Sequence, residues 1–184
     1  MSTRPVSSVL RQIPNALTIL RLIALPVFAV LLLADRTGPS WAAGVLFGAA
    51  GITDQLDGYL ARRWRVESEF GKIADPLADR LMIGLAVVML VPLDRLPWAA
   101  LLLLLRDIGL IVGYRLVADR GYRFQVNQLG KIATWGLYAS VGFVLVTEKG
   151  TTWPLVCFWI NLGLAVASAA QYFLKARREV GSAG

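Results

Sequence analysis

The sequence predicts an all-α protein, a single membrane domain built as a bundle of six transmembrane helices. The chain of 184 residues is 57% hydrophobic and only 17% charged, and its mean hydropathy is +0.60. A soluble domain usually carries about 25% charged residues. The apolar residues here form long runs, and a run of about 20 residues can span a bilayer as a helix. Lipid is therefore the expected surrounding of this chain.

Six apolar segments follow one another, and the scattered glycine and serine residues within them are typical of membrane helices that pack closely. The segments are 15–33, 41–60, 76–91, 97–117, 129–146 and 153–174. Trp41, Trp98 and Trp153 lie near segment ends, where aromatic residues anchor helices at the membrane interface. We predict one domain over residues 1–184, with a short cytoplasmic segment at about 1–13 and a basic tail at about 175–184.

The charges between the segments predict the orientation of the bundle. Lysine and arginine are frequent in the N-terminal segment, the second and fourth connections and the tail, whereas the other connections are nearly balanced. Basic loops stay in the cytoplasm, so both termini are predicted on the cytoplasmic side of the inner membrane. The net charge of +7 then reflects topology and contact with anionic membrane lipids. Nucleic acid is not an expected partner, since no binding motif is present.

Histidine is absent from the chain, and Cys157 is its one cysteine. This composition excludes catalytic triads that need histidine, histidine metal ligands, intramolecular disulfides and zinc clusters. Acid–base or metal chemistry must therefore depend on carboxylates, lysine or tyrosine.

Four aspartates gather where the second segment ends and the third begins. Asp54 and Asp57 are three residues apart, and Asp75 and Asp79 are four apart, spacings that put each pair on one helix face. The short connection predicts antiparallel neighbouring helices, so the four carboxylates can converge near the cytoplasmic boundary. Mg²⁺ commonly joins such carboxylates to substrate phosphates. The pattern predicts a divalent metal and a substrate that carries a diphosphate.

Small and basic residues accompany the acids. Gly58 and Ala61 lie within about 40° of Asp54 around the helix and leave room for a nucleotide, while Arg62 can donate charge-assisted hydrogen bonds to a phosphate. The alternative is a set of interfacial acids that pair with nearby basic residues. Those residues are Arg62, Arg63, Lys72 and Arg80. Charges within a membrane are functional by default, which favours the site.

The pattern of these residues resembles the complete signature of the CDP-alcohol phosphatidyltransferases. All eight fixed positions and every gap match: Asp54-x2-Asp57-Gly58-x2-Ala61-Arg62-x8-Gly71-x3-Asp75-x3-Asp79. Residues 13–21 are similar to the start of the bacterial phosphatidylglycerophosphate synthase and cardiolipin synthase branch. The resemblance implies six transmembrane helices, a homodimer and a polar cavity that faces the cytoplasm.

The resemblance also implies a reaction and a role for each residue. A phosphatidyl group would pass from CDP-diacylglycerol to an alcohol or lipid acceptor, with release of CMP and no covalent enzyme intermediate. Asp54, Asp57 and Asp75 would bind the divalent metal, Mg²⁺ or Mn²⁺, and Asp79 would also lie at the metal and act as the general base. The CDP site would be formed by Asp54, Asp57, Gly58, Ala61, Arg62 and Gly71.

The acceptor is expected to bind residues of the last three segments. Arg106 and Asp107 lie inside the fourth apolar run, Arg115 lies roughly two and a half turns further on, and Lys131 opens the fifth. The alternatives are a structural Arg106–Asp107 contact and a snorkelling Lys131. Residues 121–134 and the Arg106-Asp107 pair resemble cardiolipin synthases. This favours phosphatidylglycerol as the acceptor and cardiolipin as the product.

Other readings of the sequence remain open. Glycerol 3-phosphate is the alternative acceptor and would make the chain a phosphatidylglycerophosphate synthase, whereas the overall resemblance disfavours inositol phosphate. A small ion or proton transporter would explain acids inside a membrane, but not the fixed glycine and arginine positions. An inactive structural homologue is disfavoured by the intact signature.

Overall fold

Each apolar segment forms a helix in the computed structural model, which describes residues 8–36, 38–64, 69–118 and 128–181. The α-helices are α1 (Ser8–Ala34), α2 (Trp41–Trp64), α3 (Glu69–Leu90), α4 (Leu102–Ala118), α5 (Gln128–Val146) and α6 (Thr152–Gly181). A 3-10 turn at Trp98–Leu101 leads into α4. These ranges contain no strand, so the prediction of an all-α protein with six helices is confirmed.

The helices extend beyond the apolar segments that predicted them. α3 begins at Glu69 rather than at residue 76, so Asp75 lies inside the helix. α6 continues to Gly181, through much of the predicted basic tail. Hydropathy marks the apolar part of a helix, whereas backbone hydrogen bonds continue through charged residues of good helix propensity. Hydropathy therefore did not predict the polar ends of the helices.

α3 is the central helix, because it contacts α1, α2, α4 and α5. The core around it is apolar and buries Phe28 of α1, Val87 of α3 and Leu137 of α5. Phe47 of α2 stacks on Tyr138 of α5 with ring centroids 5.1 Å apart. α5 also packs along α6, and α4 lies against both α3 and α6. This arrangement puts the helix that carries two of the four aspartates at the middle of the bundle.

The outer surface is strongly apolar. Within the described residues, two stretches are long and apolar enough by themselves to cross a membrane, Gln128–Val146 and Thr152–Gln171, and the apolar stretches of α1, α2 and α3 are shorter. Only 33% and 28% of the two long stretches are buried, whereas an all-apolar helix in a soluble protein lies in the core. Outward-facing Trp135, Phe143 and Ile160 match a lipid surrounding.

Three connections meet at one end of the bundle, around Arg95. This residue is 6% exposed, and its guanidinium donates hydrogen bonds to the backbone carbonyls of Gly38, at 2.6 Å, and of Thr147. A surface ion pair joins Lys149 to Asp94 at 3.3 Å. The first, third and fifth connections therefore share one end. The helix ends at Trp64, Glu69, Ala118 and Gln128 are the other ends of α2, α3, α4 and α5, and they therefore belong to the opposite end of the bundle.

Candidate active site

The residues predicted to bind metal and CDP lie on α2 and α3, which contact each other. In the C-terminal half of α2 they are Asp54, Asp57, Gly58, Ala61 and Arg62. In the N-terminal half of α3 they are Gly71, Asp75 and Asp79. Only residues 65–68 separate the two helices, so both halves lie at the same end of the bundle, opposite Arg95. Their side chains lie outside the part that the structure describes, and their convergence stays a prediction.

The donor set suits a hard divalent cation. Four carboxylates on two contacting helices supply the oxygen ligands that Mg²⁺ and Mn²⁺ take. Among the described residues, no three His, Cys, Asp or Glu side chains form a group that could hold a metal ion. The side chains of the four aspartates lie outside that part of the chain, and the metal site is therefore a prediction from the sequence.

An ion cluster joins α3 to α4 directly after the last of these aspartates. Nη1 of Arg80 lies 2.7 Å from Oδ1 of Asp107, and Nη1 of Arg106 donates to the same oxygen at 2.7 Å. Asp107 is buried, whereas the Arg80 side chain is 39% exposed. The contact between Arg106 and Asp107 was one of the alternatives seen in the sequence. The participation of Arg80 was not predicted, because its position in the sequence suggested only a partner for the four aspartates.

The cluster lies about midway along α3, and its three side chains carry an excess positive charge. Arg80 is ten residues before the end of α3 at Leu90, which is about 15 Å along a helix. Two guanidinium groups share the single carboxylate of Asp107, so the net charge is +1. Nε of Arg106 is buried and has no hydrogen-bond partner among the described residues. A buried donor without a partner is costly, and an anion would relieve that cost.

The other predicted acceptor residues are Lys131 and Arg115. Lys131 is exposed in the first turn of α5, and within the described part of the chain Asp107 forms ion pairs with Arg80 and Arg106 but not with Lys131. Arg115 lies on α4, with a side chain outside the described part. The stretch 121–127, which resembles cardiolipin synthases, also lies outside the described residues. Lys131 follows the fourth connection and so belongs to the same end of the bundle as the aspartates.

One buried cation was not assigned a role from the sequence. Arg21 of α1 is only 3% exposed, and it ends the stretch 13–21 that resembles the bacterial branch. A guanidinium buried in an apolar helix carries a desolvation penalty. Its position within the first apolar segment was the signal that could have singled it out.

Comparison with known proteins adds independent evidence. A profile described as CDP-alcohol phosphatidyltransferase matches residues 11–167. The chain is 33% identical over 185 residues to the CDP-diacylglycerol–glycerol-3-phosphate 3-phosphatidyltransferase of Bacillus subtilis. This match covers 89% of this chain and 94% of that protein. It is 39% identical over 157 residues to the CMP-forming cardiolipin synthase of Streptomyces coelicolor, with 82% and 72% covered. A probable phosphatidylglycerophosphate synthase of Mycobacterium tuberculosis is 32% identical over 176 residues, with 92% and 84% covered.

Proposed function

The chain belongs to the CDP-alcohol phosphatidyltransferase family, and on this premise we propose that it transfers a phosphatidyl group from CDP-diacylglycerol to glycerol 3-phosphate, releasing CMP. The supporting observation is the near full-length similarity to the Bacillus subtilis enzyme that is named for this reaction, 89% of this chain and 94% of that protein. The predictions that the chain belongs to this family and that it is an enzyme are confirmed.

This acceptor differs from the one that the sequence pattern favoured. Residues 121–134 and the Arg106-Asp107 pair resemble cardiolipin synthases, and the Streptomyces coelicolor enzyme has the higher identity, 39%. That match covers less of both proteins than the Bacillus subtilis match does. The relatives thus support glycerol 3-phosphate better than phosphatidylglycerol. Cardiolipin synthesis from phosphatidylglycerol is the second candidate function.

The reaction can be written with the residues of α2 and α3. We propose that Asp54, Asp57, Asp75 and Asp79 hold a divalent cation, Mg²⁺ or Mn²⁺, which when bound neutralises the donor diphosphate. Asp79 accepts the proton of the acceptor hydroxyl. The acceptor oxygen forms a bond to the phosphorus that carries diacylglycerol, the bond from that phosphorus to the CMP oxygen breaks, and CMP leaves.

We propose that the CDP moiety binds beside small residues of α2 and α3 and close to an arginine. Gly58, Ala61 and Gly71 leave space for the nucleotide beside α2 and α3. Arg62 donates charge-assisted hydrogen bonds to its phosphates. The roles of the small residues and of Arg62 are inferred from the sequence pattern and from the contact between the two helices.

Three basic residues are proposed to bind the negatively charged phosphate of the acceptor. Arg106 has a buried Nε without a partner among the described residues, in a cluster of net charge +1. Lys131 is exposed at the aspartate end of the bundle. Arg115 lies on the same helix as Arg106. Arginine and lysine are the usual partners of phosphate.

The proposed setting is the cytoplasmic membrane. All six helices are proposed to cross it, with both termini and the aspartates on the cytoplasmic side. The meeting of the first, third and fifth connections around Arg95 supports this, because the basic second and fourth connections then share the other end. A homodimer is proposed from the family resemblance. Membership of an enzyme family disfavours the transporter alternative.

The test offers radiolabelled CDP-diacylglycerol to the purified full-length protein in lipid nanodiscs with Mg²⁺. Glycerol 3-phosphate, phosphatidylglycerol and inositol phosphate are supplied separately, and the lipid product is identified by chromatography. We expect phosphatidylglycerophosphate from glycerol 3-phosphate. Turnover with phosphatidylglycerol alone would replace the proposal by the second candidate function.

Two variants show whether turnover belongs to the proposed site. Asp79→Asn should abolish CMP release, whereas Asp94→Asn, which changes an exposed carboxylate at the opposite end, should retain it. Asn also tolerates the backbone of Asp94, whose φ is 51°, as Asp does. No CMP release by the wild-type protein with any acceptor would contradict the enzymatic proposal.

A further inference from the structure

The contact between α3 and α4 follows a short seam, and a polar pair is part of it. Arg80 of α3 meets Asp107 of α4. One turn further along α3, a Cβ added to Gly84 would lie 3.1 Å from Cδ2 of Leu104, which is one turn earlier on α4. The two contacts run in opposite directions along the two helices, as expected for antiparallel neighbours. Gly84 faces Leu104 one turn away from the Arg80–Asp107 pair, so both contacts belong to the same antiparallel seam.

The carboxylate of Asp107 is already occupied. Its Oδ1 accepts from both Arg80 and Arg106 at 2.7 Å, and the residue is only 9% exposed. A polar acceptor such as glycerol 3-phosphate would have to compete with two charge-assisted partners for this group. The carboxylate is thus better placed to hold the two helices together than to bind a substrate.

The position of Arg80 connects this seam to the proposed reaction. Arg80 directly follows Asp79 in α3, so whatever restrains Arg80 also restrains the helical turn that carries Asp79. Arg106, proposed to bind the acceptor phosphate, is the neighbour of Asp107 on α4. One carboxylate therefore links the helix of the proposed general base to the helix of the proposed acceptor site.

We propose that Asp107 is a positioning residue, which sets the distance between Asp79 and the acceptor by pairing with Arg80 and touches neither substrate. This inference rests on the proposed function. A misplacement of about 1 Å can lower a rate about 100-fold, even when substrates still bind. The loss of the pair should therefore lower kcat much more than it raises either KM.

A purely structural role for the pair makes a different prediction. In that case removal of the carboxylate would reduce the amount of folded protein but leave kcat per folded molecule unchanged. Buried ion pairs are weak evidence for stability, so stability alone cannot identify their role. The discriminating quantities are kcat and both KM values, each normalised to the protein that elutes as a folded species.

The experiment uses the full-length protein in nanodiscs with CDP-diacylglycerol and the acceptor that the wild-type protein turns over. Asp107→Asn should lower kcat by about 10- to 100-fold and change each KM less than about threefold. Asp107→Glu, which keeps the charge, should restore most of kcat. Arg80→Gln removes the more exposed partner of the same pair and should lower kcat to a similar extent. The double variant should lose no more than Asp107→Asn alone, because that variant already removes the interaction that Arg80→Gln removes.

Other outcomes would overturn the proposal. An increase in the KM for the acceptor at unchanged kcat in Asp107→Asn would assign Asp107 to acceptor binding. Unchanged kcat and KM in folded Asp107→Asn and Arg80→Gln would make the pair structural only. If Asp107→Asn does not fold, Arg80→Gln and Asp107→Glu decide between these results. Asp94→Asn is the matched control, and an inactive wild-type protein would count against the proposed function instead.

Discussion

Arg95, between α3 and α4, donates a hydrogen bond of 2.6 Å to the backbone carbonyl of Gly38, which lies 57 residues earlier in the chain. The same guanidinium donates to the carbonyl of Thr147. Burial lowers the pKa of Arg95, and the charge of Glu148 opposes this shift. An arginine nevertheless stays protonated in proteins. One buried cation thus ties three connections together at the end opposite the aspartates.

Replacement of Arg95 by alanine should destabilise the bundle. Two backbone carbonyls would lose charged donors, and a hydrogen bond to a charged group contributes about 1.5–3 kcal/mol. We expect Arg95→Ala to lower the free energy of unfolding by about 2–4 kcal/mol, allowing for partial replacement by water. Thermal unfolding in detergent measures this. Arg36→Ala is the control, because exposed Arg36 donates to the local carbonyl of Leu33 in the described part of the chain. An equal loss in both variants would contradict the prediction.

Gly136 should not tolerate a side chain. A Cβ at this position would lie 1.8 Å from Oδ1 of Asn161 on α6, and Nδ2 of Asn161 donates to the carbonyl of Cys157 at 2.8 Å. Gly136→Ala should therefore cost about 1–3 kcal/mol by overpacking. Gly163→Ala, where the added Cβ meets nothing within 4 Å, should be neutral or slightly stabilising.

A double variant identifies the source of that cost. Asn161→Ala removes the amide that the new methyl group would meet, so Gly136→Ala should be less costly in that background than in the wild-type protein. The difference is the interaction energy of a double-mutant cycle. Thermal unfolding of the four proteins supplies it. Purely additive effects would show that α5 and α6 do not approach closely at this position.

Removal of divalent cations should stop the reaction. Four carboxylates that converge without a cation would repel each other and leave the donor diphosphate without compensation. We expect no CMP release in excess chelator, and recovery when Mg²⁺ or Mn²⁺ is added. Asp75→Asn should need more Mg²⁺ for half-maximal activity, whereas Asp94→Asn should need the same amount as the wild-type protein. Full activity in chelator would contradict the metal site.

Lys131 should act on the acceptor alone. A charge-assisted hydrogen bond to phosphate contributes about 1.5–3 kcal/mol, so Lys131→Ala should raise the KM for glycerol 3-phosphate about 10-fold or more, with the KM for CDP-diacylglycerol unchanged. Lys131→Arg should keep most of the affinity. Lys149→Ala, at the opposite end of the bundle, is the control. An unchanged KM for glycerol 3-phosphate in Lys131→Ala would remove this residue from the acceptor site.

The helices were predictable to different extents. The apolar runs predicted six helices because lipid-facing stretches are long and continuous, and α5, at Gln128–Val146, begins within one residue of its predicted start. The continuation of α6 to Gly181 was missed because charged residues also propagate a helix. The acceptor preference was less predictable, since few residues distinguish glycerol 3-phosphate from phosphatidylglycerol.

The sequence by itself determined the family and the reaction class, because Asp54, Asp57, Asp75 and Asp79 stand at fixed spacings within the chain. Such a pattern is local, and local helical geometry suffices to interpret it. Only the tertiary structure decided that Arg80 pairs with Asp107 and that Arg95 reaches Gly38 and Thr147. These contacts join helices and connections distant in the chain. Their partners are selected by packing and by the need to satisfy buried charges, which no spacing along the sequence records.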